Sequence, residues 1–65
     1  MKRQYIVRRP FRATMVGNQD RDRIFKTDET VWCEAEQFSD PIVFEADLVR
    51  FEADRTEFVK SVACP

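Results

Sequence analysis

Apolar and polar side chains alternate along residues 4–16, and this alternation constrains the fold more than any other feature of the sequence. A repeat of two residues is typical of a β-strand with one buried face. Pro10 cannot donate a hydrogen bond to a neighbouring strand, so it marks an edge or a bulge. The start of the chain therefore predicts an extended strand. The alternate positions predicted to face the core, interrupted only by Arg9, are Tyr5, Val7, Phe11, Ala13 and Met15.

The alternation returns after a polar segment. Residues 17–23 hold the only glycine and predict a loop, and residues 26–29 predict a turn inside a second β segment, 24–37. In that segment Val31, Cys33 and Ala35 fall on one face, which we expect to be buried. Trp32 then lies on the opposite, outer face among polar neighbours, where a large aromatic residue is informative.

The last third of the chain supports two interpretations. A repeat of two predicts a hairpin of residues 42–46 and 49–53, followed by a short turn and a final strand over 58–63. A repeat of 3.5 instead predicts a helix over residues 41–63, which contain no Gly or Asn, with Asp40 as its N-cap. Because β-branched and aromatic residues are frequent here, we favour the hairpin and keep the helix as the alternative.

The order of these segments suggests a known architecture. An extended first strand and a polar loop are followed by Phe25–Val31, two short strands and Glu57–Val62. This order resembles the Src-homology-3-like domains, in which a short helical turn, here residues 55–59, precedes the last strand. The resemblance implies an all-β fold, a small five-stranded barrel. The alternative is an α+β fold in which a β-hairpin packs on a C-terminal helix (residues 41–63).

The residues that carry function in that family are not matched. Its members bind proline-rich peptides through tyrosines on the first strand and a tryptophan pair after the second. Here Arg8-Arg9-Pro10-Phe11 stands in the first strand, and the only tryptophan, Trp32, lies inside the second β segment. The resemblance therefore concerns the fold, and a fold of this kind hosts many functions.

Composition argues against catalysis and against a bound metal or cofactor. The 65 residues, 1–65, are enough for a single small domain. There is no histidine to activate a nucleophile or to bind zinc, and the two cysteines, Cys33 and Cys64, lie far apart in sequence. We expect a protein that is not an enzyme, has no cofactor and no metal site, and uses Cys33 as a small buried side chain.

Apolar stretches are too short for a secretory signal or a membrane span. The first of them, residues 5–7, is interrupted at once by Arg8 and Arg9. A cytoplasmic location without membrane contact is therefore the expectation.

Charge is distributed unevenly along the sequence. Residues 1–26 hold eight Lys or Arg against two Asp, a net charge of +6, whereas residues 27–65 hold three against ten, a net charge of −7. Such asymmetry indicates either an anionic partner for the first segment or complementary packing of the two segments against each other.

Two functional hypotheses follow. In the first, the chain is a protein-interaction module that binds another protein or a second copy of itself, with Trp32 as the anchor between Thr30 and Glu34. In the second, Arg8, Arg9 and Arg12 on a basic first strand bind the phosphates of a nucleic acid. An isoelectric point near 5.3 counts against this alternative.

Overall fold

Seven strands form one antiparallel sheet in the computed structural model, which describes residues 2–34 and 40–64. In sheet order the strands run β3-β2-β6-β5-β4-β1-β7, so β3 and β7 are the two edges of an open sheet. The chain is therefore a small, compact, mostly-β domain. The elements are β1 Lys2–Val7, β2 Phe11–Met15, β3 Asn18–Phe25, β4 Thr30–Glu34, β5 Ile42–Ala46, β6 Val49–Ala53, α1 Arg55–Ser61 and β7 Val62–Ala63.

One face of the sheet carries the core. Alternation along the strands places apolar side chains on this face, and α1 adds Phe58, which is fully buried. The ring centroids of Phe58 and Phe44 are 5.1 Å apart, and those of Phe58 and Phe11 are 5.8 Å apart. The buried apolar residues of the described ranges are Tyr5, Val7, Phe11, Ala13, Phe25, Val31, Cys33, Ile42, Phe44, Ala46, Phe51, Ala53 and Phe58.

The sheet bends over this core without closing. Strands three places apart in a flat sheet would lie about 14 Å apart, at about 4.8 Å between neighbours. Phe25 on β3 and Phe44 on β5 are three places apart, yet their ring centroids are only 5.2 Å apart. The inner face is therefore concave, and the opposite face, which we call the outer face, is turned to solvent.

A capped single helix precedes the last strand. The Asp54 carboxylate accepts a hydrogen bond from the Glu57 backbone N–H at 3.1 Å, as an N-cap residue does. Helix α1 then runs for seven residues and ends at Val62, whose backbone is extended. Its place in the chain agrees with the short helical turn that we expected there.

The prediction of a five-stranded closed barrel is wrong. Residues 4–16 form two strands, because Arg8, Arg9 and Pro10 connect β1 to β2 and do not continue a single strand. Residues 17–23, predicted to be a loop, instead supply most of β3, which pairs with β2 after a turn at Val16 and Gly17. Charged residues are acceptable in β3 because it lies at an edge of the sheet.

The alternative α+β fold, with a helix over residues 41–63, is also wrong. Residues 42–53 form an antiparallel hairpin in which Ala46 stands opposite Val49. A helix would spread this segment's apolar side chains around its circumference, whereas the hairpin buries Ile42, Phe44 and Phe51 on one face. The final strand expected over 58–63 is reduced to β7, since α1 takes its first residues.

The turn of the hairpin contains Leu48 at a position where Gly or Asn is usual. Asp47 and Leu48 have φ of 52° and 66°, the left-handed conformation that two-residue hairpin turns require and that Asn-Gly usually supplies. Leu48 is fully exposed there. The absence of Gly and Asn from residues 42–53 therefore did not prevent a tight turn.

Candidate protein-binding face

Trp32 lies on the outer face near the middle of the sheet. Its side chain is 43% exposed, while Val31 and Cys33 on either side of it are buried. Thr30 and Glu34, the other predicted binding residues, are exposed at alternate positions of the same strand, β4. The structure therefore places Thr30, Trp32 and Glu34 in one row on one surface.

Neighbouring strands supply the rest of this surface. Across β4, Trp32 stands opposite Gln4 of β1 on one side and opposite Glu45 of β5 on the other. Val43 is two residues before Glu45 on the same face of β5 and is 40% exposed. Beside Trp32 there is a cleft of about 270 Å³. Phe44 and six outward-facing residues line the cleft, and we call these six the Trp32 face: Lys2, Trp32, Glu34, Val43, Glu45 and Arg50.

Ion pairs cross the Trp32 face. The Lys2 Nζ lies 2.5 Å from the Glu45 Oε1, and the Arg50 Nε lies 4.0 Å from the same oxygen. Glu52, opposite Val43 on β6, is half-buried and makes no ion pair with any side chain of the described residues. The apolar surface of Trp32 and Val43 is thus surrounded by charges, which is the usual anatomy of an interface.

The sequence predicted only two of the six residues of the Trp32 face, Trp32 and Glu34. The repeat of two along residues 42–53 puts Val43, Glu45 and Arg50 on the outward face, which is where the structure has them. It could not place them beside Trp32, because alternation gives the face of a side chain but not the order of the strands.

The arginines of the nucleic-acid hypothesis lie at another place. Arg8 and Arg9 are exposed in the β1–β2 connection, where both backbone N–H groups donate to the Ser61 carbonyl, at 2.7 and 3.2 Å. Arg12 is exposed on β2, opposite Ile24. None of the three pairs with a carboxylate in the described part of the chain. The structure therefore places all three outside the Trp32 face.

Complementary packing accounts for part of the charge asymmetry. The three shortest ion pairs of the described residues join Lys2 to Glu45 at 2.5 Å, and Arg23 to Glu29 at 2.6 Å and to Asp47 at 2.9 Å. In each pair the cation comes from residues 1–26 and the carboxylate from residues 27–65. Arg8, Arg9 and Arg12 do not take part in this pairing.

The two cysteines differ in environment. Burial raises the pKa of the Cys33 thiol above its ordinary value of 9.0, and the charge of Glu34 raises it further, although a hydrogen bond with the Glu34 backbone acts in the opposite direction. The thiol also donates to the Val43 carbonyl at 3.5 Å. Cys64 is exposed and not in a disulfide. Cys33 is therefore a neutral core side chain directly behind the Trp32 face.

Within the residues that the structure describes, no group of three or more His, Cys, Asp or Glu side chains is arranged to hold a metal ion. The same residues contain no helix with the length and apolar character needed to span a membrane. Comparisons with protein-family models, with curated proteins and with solved structures found no match.

Proposed function

We propose that this domain is a non-enzymatic protein-interaction module that binds its partner on the Trp32 face. The observation that carries the proposal is the position of Trp32, which is 43% exposed on the side of the sheet opposite a core rich in phenylalanine. Tryptophan supplies more binding energy at interfaces than almost any other residue when a partner covers it. Val43 extends the apolar surface, and the surrounding charges can set the orientation of the partner.

A different protein is a better partner for the domain than a second copy paired through the edge strand β3. In a symmetric antiparallel pair, opposite residues lie on the same face of the sheet. A pair centred on Arg21 or Asp22 would therefore set like charges opposite each other, which is unfavourable. The shift of register between β2 and β3 near Met15 also makes this edge a poor template for another strand.

Selection from a random peptide library would test the proposal. The library is panned on the wild-type domain after depletion on Trp32→Ala, and each recovered peptide is then titrated against both proteins. We expect peptides that bind the wild type and lose at least tenfold in affinity with Trp32→Ala. Ile24→Ala is the matched control, because Ile24 is 47% exposed on the outer face of the edge strand.

Two results would contradict the proposal. One is the recovery of peptides that bind Trp32→Ala as tightly as the wild type. The other is that no peptide survives the selection while Trp32→Ala keeps the wild-type amide spectrum, because a folded control then shows that the face offers nothing to bind.

The second candidate function is nucleic-acid binding through Arg8, Arg9 and Arg12. It is favoured by one observation: these three cations are exposed and unpaired within the described residues, whereas Lys2 and Arg23 are paired. In a titration with short oligonucleotides, amide shifts at these arginines that weaken with salt would support it. Binding that persists in the triple variant Arg8→Gln, Arg9→Gln, Arg12→Gln would refute it.

A further inference from the structure

The Lys2 side chain crosses β4 beside Trp32. Lys2 stands opposite Glu34 on one side of β4, and Glu45 stands opposite Trp32 on its other side. To bring its ammonium group to 2.5 Å from Glu45, Lys2 must extend over β4 between Trp32 and Glu34. A cation from this chain therefore already occupies the edge of the cleft.

The ion pair between Lys2 and Glu45 can be broken with little loss of stability. The Lys2 side chain is 51% exposed, and ion pairs between exposed groups contribute little to stability because water screens them and the side chains lose freedom. Glu45, by contrast, is only 29% exposed and is fixed on the central strand β5. The Glu45 carboxylate is thus held in position on the surface, whereas the Lys2 side chain, near the start of β1, can be replaced by another cation.

Charge and shape together indicate what could replace it. If Lys2 leaves, the carboxylates of Glu34, Glu45 and Glu52 lie on this part of the outer face with Arg50 as the one remaining cation among the described lining residues. Beside them the Trp32 ring offers an apolar, electron-rich surface. Arginine suits such a place best, because its planar guanidinium stacks on aromatic rings and binds carboxylates through two parallel hydrogen bonds.

We propose that the cleft of the Trp32 face takes an arginine side chain of the partner protein, which stacks on Trp32 and displaces Lys2 from Glu45. This inference depends on the proposed function, since it names the chemistry of the partner at the same site. Before the partner binds, Lys2 pairs with Glu45, and it therefore competes with the partner's arginine for this carboxylate.

Fluorescence offers a direct test, because Trp32 is the only tryptophan in the sequence. The probes are capped pentapeptides of glycine with one central residue: arginine, citrulline, glutamate or leucine. Citrulline has nearly the shape of arginine without its charge. We expect the arginine peptide to change the Trp32 emission at millimolar concentration, and the citrulline peptide to do so at least fivefold more weakly.

Two substitutions separate displacement from simple attraction. Lys2→Met removes the competitor and should tighten binding of the arginine peptide about two- to fivefold, the factor set by the loss of a surface ion pair. Glu45→Gln should weaken it at least fivefold. Lys26→Met, a substitution with the same change of charge in the exposed residue after β3, is the control and should leave the affinity unchanged.

Three results would overturn all or part of this proposal. If leucine or glutamate peptides perturb Trp32 more than the arginine peptide does, the inference is overturned while the binding face stands. If Lys2→Met leaves arginine binding unchanged or weakens it, the displacement of Lys2 is overturned. If no probe changes the emission and the library selection also fails, both the inference and the proposed function are wrong.

Discussion

Arg23 holds the concave side of the sheet together, and its replacement gives the most informative test of the fold. It lies on the inner face of β3, opposite Ala13 of β2. Its guanidinium carbon is 4.4 Å from the centroid of the Phe25 ring. Its two terminal nitrogens bind different carboxylates, Glu29 in the β3–β4 turn at 2.6 Å and Asp47 in the hairpin turn at 2.9 Å. One side chain thus connects three separate parts of the chain.

The expected loss of stability on Arg23→Ala is about 2 kcal/mol. The pair with Glu29 contributes about 0.5–1 kcal/mol, since both side chains are only about one-third exposed. Asp47 is 78% exposed, so its pair contributes no more than about 0.3 kcal/mol. The cation over Phe25 adds about 0.5–1 kcal/mol, and the aliphatic stem of Arg23 adds the remainder by packing.

Urea unfolding of a small set of variants would measure these terms. Arg23→Met keeps the stem and should lose about 1–1.5 kcal/mol, while a double-mutant cycle with Glu29→Gln should show a larger coupling than one with Asp47→Asn. Arg12→Met, at an exposed arginine that pairs with no carboxylate of residues 2–34 and 40–64, should change stability by less than about 0.5 kcal/mol. A loss below about 0.5 kcal/mol for Arg23→Ala, or a reversed order of the two couplings, would contradict this role of Arg23.

Three further predictions concern single residues. Leu48→Gly should raise the free energy of unfolding by about 0.5–1 kcal/mol in thermal or urea unfolding, because glycine adopts the left-handed conformation at φ 66° without strain. The control Leu48→Ala should leave the free energy of unfolding nearly unchanged. A loss of stability with glycine would contradict this prediction. Iodoacetamide at pH 8 should alkylate the exposed Cys64 much faster than Cys33, whose thiol pKa is raised mainly by burial, and equal rates would contradict the buried position. Because the folded-state pKa of Cys33 is raised, its contribution to stability is fully present below pH 9.0 and is lost above it, so Cys33→Ala should flatten the fall of stability at alkaline pH.

Alternation of side chains predicted the faces of the strands well, because burial on one side of a sheet leaves a direct mark on sequence. The inward positions of Phe11 and Cys33 and the outward position of Trp32 agree with the structure, whereas Ala35, also predicted to face inward, lies outside the described residues. The number of strands could not be predicted from this alternation. It depends on the break at Pro10 and on whether a charged segment such as residues 18–23 can be tolerated at a sheet edge, which is a property of the whole sheet.

The composition of the Trp32 face could be predicted only in part, for a related reason. Thr30 and Glu34 are close to Trp32 in sequence, so the repeat of two placed them beside it. Lys2 and Glu45 reach the same place only because β1 and β5 flank β4, an order set by long-range pairing. Sequence patterns carry little information about such pairing, since most strands have similar apolar faces.

Urea unfolding of Trp32→Ala distinguishes a tryptophan on a binding surface from a tryptophan in the core. A tryptophan that is 43% exposed on the outer face should cost about 1–2 kcal/mol when truncated, because only part of its apolar area is removed from water in the folded chain. We expect a loss in this range, with a wild-type amide spectrum away from β4. A loss of about 3–5 kcal/mol, the usual cost of truncating a core aromatic residue, would contradict it.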